Sequence, residues 1–543
     1  MFKSGNKGSI DRFYLVLLAA LVALVVLGGL LFNMGKPPTP KERSTLSAND
    51  STSGTSDEAA EKEPFEALLV YCAAGIRPPV EQVAADYERE YGIPVQLQYG
   101  GSNTLLSQIE VSRTGDLFVC ADDIYIQMGK EKGLLEETIP LSVMRPVLAV
   151  KKGNPKNIRG VEDLLREDVK AALGNSDQAA IGKMTRNLLE TSGHWERIEQ
   201  HVTESGVFKP TVPEVANDVK LGSVDVGVVW DTTLALYPGL EAIRTPELDR
   251  GTAQVMVAVL ASSQTPTKAL RFARYLSSRD KGLVTFKERG FEVVEGDKWE
   301  EAPELTFYCG SVNRRAVEAP IKAFEEREGV VVNTVYNGCG ILTAQMRTIR
   351  DQQQGAGFPD TYMACDRYYL ETVKEWFQED VDISDTEVLI AVPKGNPANI
   401  QSLADLAKPG VRVSVGQPEQ CTIGVLTRQV LEKEGLYGEV MKNVVTQTAS
   451  SAMLLPTVTT GSVDATLAYA TDTKAEADKV DTIRIESSAA TAIQPFAIAR
   501  SSDHKNLDRR LYRAIADSRK QFEEVGFNFR IDDTVQDLVQ SLP

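Results

Sequence analysis

Short apolar runs and helically spaced apolar positions take turns along this chain. LLVYCA, from Leu68, is an unbroken apolar run followed by Gly75 and Pro78, the mark of a buried strand. In VEQVAADYEREYG the apolar residues Val80, Val83, Ala84 and Tyr87 recur at helical spacing. IPVQLQYGG then alternates like a strand, LLSQI opens another helix, and DLFVCA is a third short strand. RPVLAVKKGNP reads as a longer strand that feeds a second series of the same kind. Such alternation predicts parallel α/β sheets with crossover helices. Open sheets of that class bind ligands beyond the carboxyl ends of their strands.

The pattern occurs twice. KGNPKNIRGVEDL begins at Lys152 and KGNPANIQSLADL at Lys394, with eight of thirteen positions identical. YCAAGIRPPVEQ at Tyr71 faces YCGSVNRRAVEA at Tyr308, and DLFVCADDIY at Asp116 faces DTYMACDRYY at Asp360. GNSDQAAIGK at Gly174 faces GQPEQCTIGV at Gly416, and GSVDVGVVWDTT at Gly222 faces GSVDATLAYATD at Gly461. Order is kept while the offset drifts by a few residues, as loop insertions require. A period near 240 residues is far too long for a solenoid, so the chain carries one whole fold in tandem.

Ahead of the repeats stands FYLVLLAALVALVVLGGLLF, Phe13 to Phe32, without a charge. At about 1.5 Å per residue it reaches roughly 30 Å, the hydrocarbon thickness of a bilayer. The expectation is an uncleaved anchor, and Lys3, Lys7 and Arg12 favour a cytoplasmic N-terminus. The following Pro-, Ser- and Thr-rich stretch builds no core and reads as a disordered linker. The net charge of -17 excludes a basic nucleic-acid surface, so no nucleic-acid partner is expected. It leaves room for a small anion held by backbone N–H groups.

The first strand end followed by small residues, the GGS-x-TL turn, the D-x-F strand, the V-x-KGNP crossing and the GS-V-D ending resemble the molybdate-binding proteins of ABC importers. The resemblance runs from about Phe65 to Pro543. It implies two tandem type II periplasmic-binding-protein-like modules, each of two α/β lobes joined by two crossing strands. The crossings fall at Arg145–Lys152 with Gln254–Leu260, and at Val388–Lys394 with Gln494–Ala499. The expected layout is a cytoplasmic N-terminus (1–12), a transmembrane anchor (13–33), a linker (34–64), module one (65–300) and module two (301–543). Lobe I of module one comprises 65–146 and 256–300, and lobe II 147–255; in module two lobe I comprises 301–389 and 495–543, and lobe II 390–494. The family acts outside the cytoplasmic membrane, so the expected protein is single-pass with its modules on the periplasmic face and an ABC permease as partner.

Molybdate, tungstate and sulfate are doubly charged acceptors without a proton near neutral pH, so their site needs convergent donors. The resemblance carries these in module one to Ala74, Gly75, Gly101, Ser102, Ala179, Ala180 and Trp230. In module two they fall on Gly310, Ser311, Gly338, Cys339, Cys421, Thr422 and Tyr469. The family's serine after the first strand is missing from CAAG, Trp230 replaces a tyrosine, and Cys339 stands where module one has Ser102.

All six cysteines fall in the matched blocks. One reading pairs Cys72 with Cys120 and Cys309 with Cys365 as disulfides across neighbouring strand ends, with Cys339 and Cys421 bridging the cleft or reduced, or leaves the thiols inert and buried. A second makes Cys309, Cys339, Cys365 and Cys421 a soft-metal site, since thiolates prefer copper(I) or zinc. A third is redox chemistry. No nucleotide-binding or nucleophile motif occurs, so no enzyme and no cofactor are expected. The expected function is oxyanion capture for an importer. The alternative is a sensor or interaction protein with degenerate clefts, or a thiol-binding module two.

Overall fold

The computed structural model describes residues 67–352 and 357–531. In the first copy the strands are β1 (Leu68–Ala73), β2 (Val95–Gly100), β3 (Leu117–Cys120), β4 (Leu135–Met144), β5 (Pro146–Lys151), β6 (Ala171–Gly174), β7 (Val207–Lys209), β8 (Val226–Trp230), β9 (Leu240–Ile243), β10 (Ala253–Leu260) and β11 (Glu292–Val293). They form a six-stranded sheet in the order β11-β4-β10-β3-β1-β2 and a five-stranded sheet in the order β7-β6-β8-β5-β9. β1 is buried along nearly its whole length, as a parallel strand covered on both faces must be. The helix Arg77–Tyr91 that follows starts on prolines and stops at Gly92, whose φ of 70° is the left-handed turn glycine allows.

The second copy contains β12 (Glu304–Gly310), β13 (Val331–Asn337), β14 (Thr361–Met363), β15 (Phe377–Pro393), β16 (Val413–Gly416), β17 (Val444–Thr448), β18 (Ala465–Tyr469), β19 (Val480–Arg484), β20 (Thr491–Ala499) and β21 (Asn528–Phe529). The order β13-β12-β14-β20-β15-β18-β16-β17 strings the same two sheets together. Register repeats as well: Cys72 pairs with Tyr99 and Cys309 with Tyr336. Each copy has its own hydrophobic core.

The copies differ at the crossing between lobes. In module one, β4 and β5 are separated at Arg145, and the next residue is Pro146, which has no N–H to give. In module two Val388 stands there and donates its N–H to the Ala490 carbonyl at 2.8 Å. There Glu387 pairs with Thr491 and Val388 with Tyr469, so β15 is a single strand of 17 residues serving both lobes. The repeated KGNP turn has a local reason. Asn154, Asn157, Asn396 and Asn399 all adopt positive φ, which asparagine tolerates best among residues with a side chain. The side-chain amides of Asn154 and Asn396 close the turns on the carbonyls of Ile158 and Ile400, at 2.8 and 2.7 Å.

The modules are docked by a buried junction that has no counterpart inside the repeat. Glu328 ends the helix Arg314–Glu328 and is 1% exposed. Its carboxylate accepts from Arg274 at 2.9 Å and from Arg510 at 2.6 Å. Arg274 belongs to module one, Glu328 and Arg510 to module two. Alongside, the Asp297 carboxylate accepts the N–H groups of Asn506 and Leu507 at 2.8 and 3.0 Å, capping the helix Lys505–Ala516 from the other module. Arg327 grips Glu137 through two nitrogens at 2.7 and 2.9 Å.

The expected single-pass membrane location is corrected: among the described residues no helix is long and apolar enough to cross a membrane. The segment read as an anchor (13–33), its cytoplasmic flank and the linker lie outside the described residues.

Candidate functional site

Seven expected ligand residues of module one, drawn from four chain segments, meet at one hollow between the two sheets. Ala74 and Gly75 follow β1, Gly101 and Ser102 follow β2, Ala179 and Ala180 follow β6, and Trp230 ends β8. Ala73, Ala121, Thr211 and Val212 complete much of the wall, and no Asp, Glu, Lys or Arg lines it. Sequence reasoning missed these four. Thr211 was findable, because it opens a helix one step beyond β7.

Three helices begin at this hollow: Ser102–Ser112, Ala180–Thr191 and Val212–Leu221. None of the three has a side-chain cap, so the positive ends of their dipoles meet at the hollow, although the Asn103 N–H is taken by the Gln178 carbonyl and Pro213 has none to offer. Ser102 is 1% exposed, and its Oγ accepts the N–H of Ala121 at 3.2 Å. With that lone pair used, its own hydrogen is free to point into the hollow. The indole edge of Trp230 lies over Gly75: a Cβ there would stand 3.5 Å from Cδ1 and 3.8 Å from Nε1.

The lobes are closed, and the contact is drawn identically in both modules. The N–H of Asn103 donates to the Gln178 carbonyl at 3.2 Å, and that of Gly340 to the Gln420 carbonyl at 3.0 Å. A Cβ on Gly101 would lie 2.2 Å from the Gln178 oxygen and 2.8 Å from the Pro210 oxygen. On Gly338 it would lie 2.5 Å from the Gln420 oxygen and 2.7 Å from the Ala449 oxygen. Only glycine lets these turns press against the opposite lobe.

The module-one hollow has a volume of about 20 Å³ for the centre of a water-sized sphere. Adding water's radius of ~1.4 Å gives a hole roughly 3 Å in radius, the size of one tetrahedral oxyanion and too small for a sugar. Asp122, next to the lining residue Ala121, is largely buried. Burial first, then the neighbouring Asp123, pushes its carboxyl up to about 7, although the Ile124 N–H and Lys183 pull the other way.

In module two the matching space is occupied by sulfur. Cys339 takes the place of Ser102 and Cys365 that of Ala121. The Cys365 N–H donates to Cys339 Sγ at 3.1 Å, repeating the Ala121–Ser102 bond, and the two sulfurs are 3.0 Å apart. Thr422 and Tyr469 lie in the same cluster, and their buried hydroxyls find no hydrogen-bond partner. Gly310 faces both sulfurs, Ser311 opens the short turn after β12, Gly338 meets the opposite lobe, and Cys421 donates to the Thr448 carbonyl at 3.5 Å.

All six thiols are free and buried, which corrects the disulfide expectation. The physical reason is register. Cys72 pairs with Val119, not Cys120, so the two cysteine side chains leave opposite faces of the sheet. Cys309 pairs with Met363, and Cys365 lies beyond the strand end, turned towards Cys339. Among the described residues no three His, Cys, Asp or Glu side chains are grouped to hold a metal ion, so Cys309, Cys339, Cys365 and Cys421 do not form the four-thiol site considered above.

Comparison with known proteins gives the family of the chain. A family model described as bacterial extracellular solute-binding protein matches residues 68–292 and again 305–528. A protein of Haemophilus influenzae named as a binding protein is 26% identical over 227 residues, covering 41% of this chain and 90% of its own length. The molybdate-binding protein ModA of Mycobacterium tuberculosis is 24% identical over 237 residues, covering 43% of this chain and 87% of its own. The solved periplasmic molybdate-binding protein of Azotobacter vinelandii is 16% identical, with a TM-score of 0.36, over 41% of this chain and 98% of its own. These relatives are binding proteins rather than enzymes. The family match covers both copies of the repeat, and the chain belongs to the bacterial extracellular solute-binding proteins as a tandem pair.

Proposed function

We propose that module one captures a fully deprotonated tetrahedral oxyanion of the molybdate, tungstate or sulfate type and presents it to an ABC importer. The observation that carries this reading is the hollow itself: helix N-termini, a serine hydroxyl and an indole converge on a space of oxyanion size with no charged side chain in its wall. Backbone donors suit such an anion because they supply partial positive charge without a proton to lose. A monoprotonated phosphate needs an acceptor for its hydrogen, and no carboxylate lines the hollow to provide one. The relatives named as molybdate-binding point the same way. For module two the alternative reading, a cleft that has given up anion capture, is favoured by the sulfurs that occupy its centre.

Calorimetry of the intact protein tests the reading. Molybdate, tungstate or sulfate is expected to bind at one site per chain, and phosphate is expected not to bind; silence towards all four anions would sink it. Ser102→Ala removes one charge-assisted hydrogen bond and strands the Ala121 N–H. A loss of about 1.5–3 kcal/mol is expected, a ten- to hundredfold weaker titration. Affinity is also expected to fall as pH rises through 7, where Asp122 gains a negative charge beside the hollow. The same titration destabilises the folded module as pH rises, because the proton is held more tightly folded than unfolded. Asp122→Asn should flatten the affinity profile, and an unchanged profile would remove Asp122 from the account.

A further inference from the structure

We propose that Cys339 and Cys365 form a dithiol–disulfide pair in the cleft of module two, exchanging with low-molecular-weight or protein disulfides. This does not depend on what module one binds. Their sulfurs are 3.0 Å apart, and the Cys365 N–H is already donated to Cys339. The two copies of the fold provide an internal comparison. Where module one has Ala73, Ser102 and Ala121, module two has Gly310, Cys339 and Cys365. A Cβ on Gly310 would stand 2.2 Å from Cys365 Sγ and 2.8 Å from Cys339 Sγ. The glycine therefore makes the room that the two sulfurs fill, so the three differences act as one.

The surroundings polarise the pair. Burial pushes the Cys339 thiol up, but the Cys365 side chain and N–H outweigh it and leave the net direction down. Cys365 is pushed well above the ordinary thiol range, by Cys339 first and burial second. The Cys365 N–H donated to Cys339 Sγ at 3.1 Å favours negative charge on that sulfur, which assigns Cys339 as the attacking sulfur and Cys365 as the resolving one. An open hollow of about 490 Å³ is lined by Gly340, the residue after Cys339, with Tyr369, Pro418 and Glu419, but neither sulfur lines it and both are buried, so an external disulfide reaches the pair only when the lobes part. The family's extracellular setting is an oxidising one.

The chemistry balances without a metal. The Cys339 thiolate attacks one sulfur of an external disulfide, whose S–S bond breaks; a mixed disulfide forms and one external thiolate leaves. Cys365, giving up its proton, attacks Cys339 Sγ and releases the second external thiolate. Two electrons pass from the cysteine pair to the external disulfide, and the two cysteine protons end on its thiols.

The test is equilibration of the intact protein in mixtures of oxidised and reduced glutathione, followed by acid quench, alkylation in denaturant and peptide mass mapping. The expected result is joint loss of two thiols, a peptide linking Cys339 to Cys365, and full alkylation of the other four cysteines. Cys365→Ala, which installs the residue of module one, is expected to hold one glutathione per chain on Cys339. Both thiols staying alkylatable in excess oxidised glutathione, or a link from either to another cysteine, would overturn the pair. Absence of glutathione from the Cys365→Ala protein would overturn Cys339 as the attacking sulfur.

Discussion

Glu328→Ala is expected to cost about 3–5 kcal/mol of stability, the toll of stripping a buried carboxylate from its cations. Arg274 and Arg510 are 7% and 9% exposed, so neither guanidinium can turn to water when its partner is gone. Burial opposes the charge on Glu328, yet Arg510 and then Arg274 hold its carboxyl below the ordinary range. A carboxylate depressed in the folded state stabilises the protein above its unfolded value of about 4.3. The contribution is therefore whole at neutral pH and disappears as pH falls through the lowered folded value. Because the triad joins two modules, urea unfolding should also change form: one coupled transition in the parent, two in the variant. Replacing all three residues together by Met, Leu and Met should be close to neutral, since it leaves no stranded charge. A Glu328→Ala protein that unfolds at the parent's urea midpoint would refute the junction.

Gly101→Ala should push the lobes apart and cripple ligand capture. The φ of Gly101 is -70°, an ordinary value for alanine, so the open lobe has no reason to object. The added methyl meets the Gln178 and Pro210 carbonyl oxygens only when the lobes close. Backbone oxygens cannot swing aside as a side chain can. A loss of at least about a hundredfold in oxyanion affinity is expected, roughly 2.8 kcal/mol. Small-angle scattering should find the variant more open than the parent in the presence of anion. Parent-like affinity would mean that capture does not require this closure.

The tandem repeat was legible because both copies keep their small residues at the strand ends, where any larger side chain collides. The convergence of small residues on the module-one hollow was legible for the same reason: Gly101 and Ser102 cannot be exchanged freely once the opposite lobe lies against them. Pairing across the sheet was not legible. Placing Cys72 opposite Cys120 needs a register that periodicity does not supply, and a slip of one residue reverses the face. The thiol pair had a signal only half read: Cys339 was set against Ser102, but Cys365 was not set against Ala121. The junction had none: Glu328 stands where module one has Tyr91, and nothing in the spacing of Arg274, Glu328 and Arg510 brings them together.

Pro146 gives the two clamps different hinges. The spine interrupted at the proline is tied there by Asp231, whose N–H donates to the Arg145 carbonyl at 2.9 Å and whose carboxylate accepts the Arg145 N–H at 3.1 Å, whereas the seventeen-residue spine of the second clamp carries the Val388–Ala490 bond at the same place. One gene product thus carries two hinges built from one blueprint, the first leaning on an aspartate and the second on a main-chain bond.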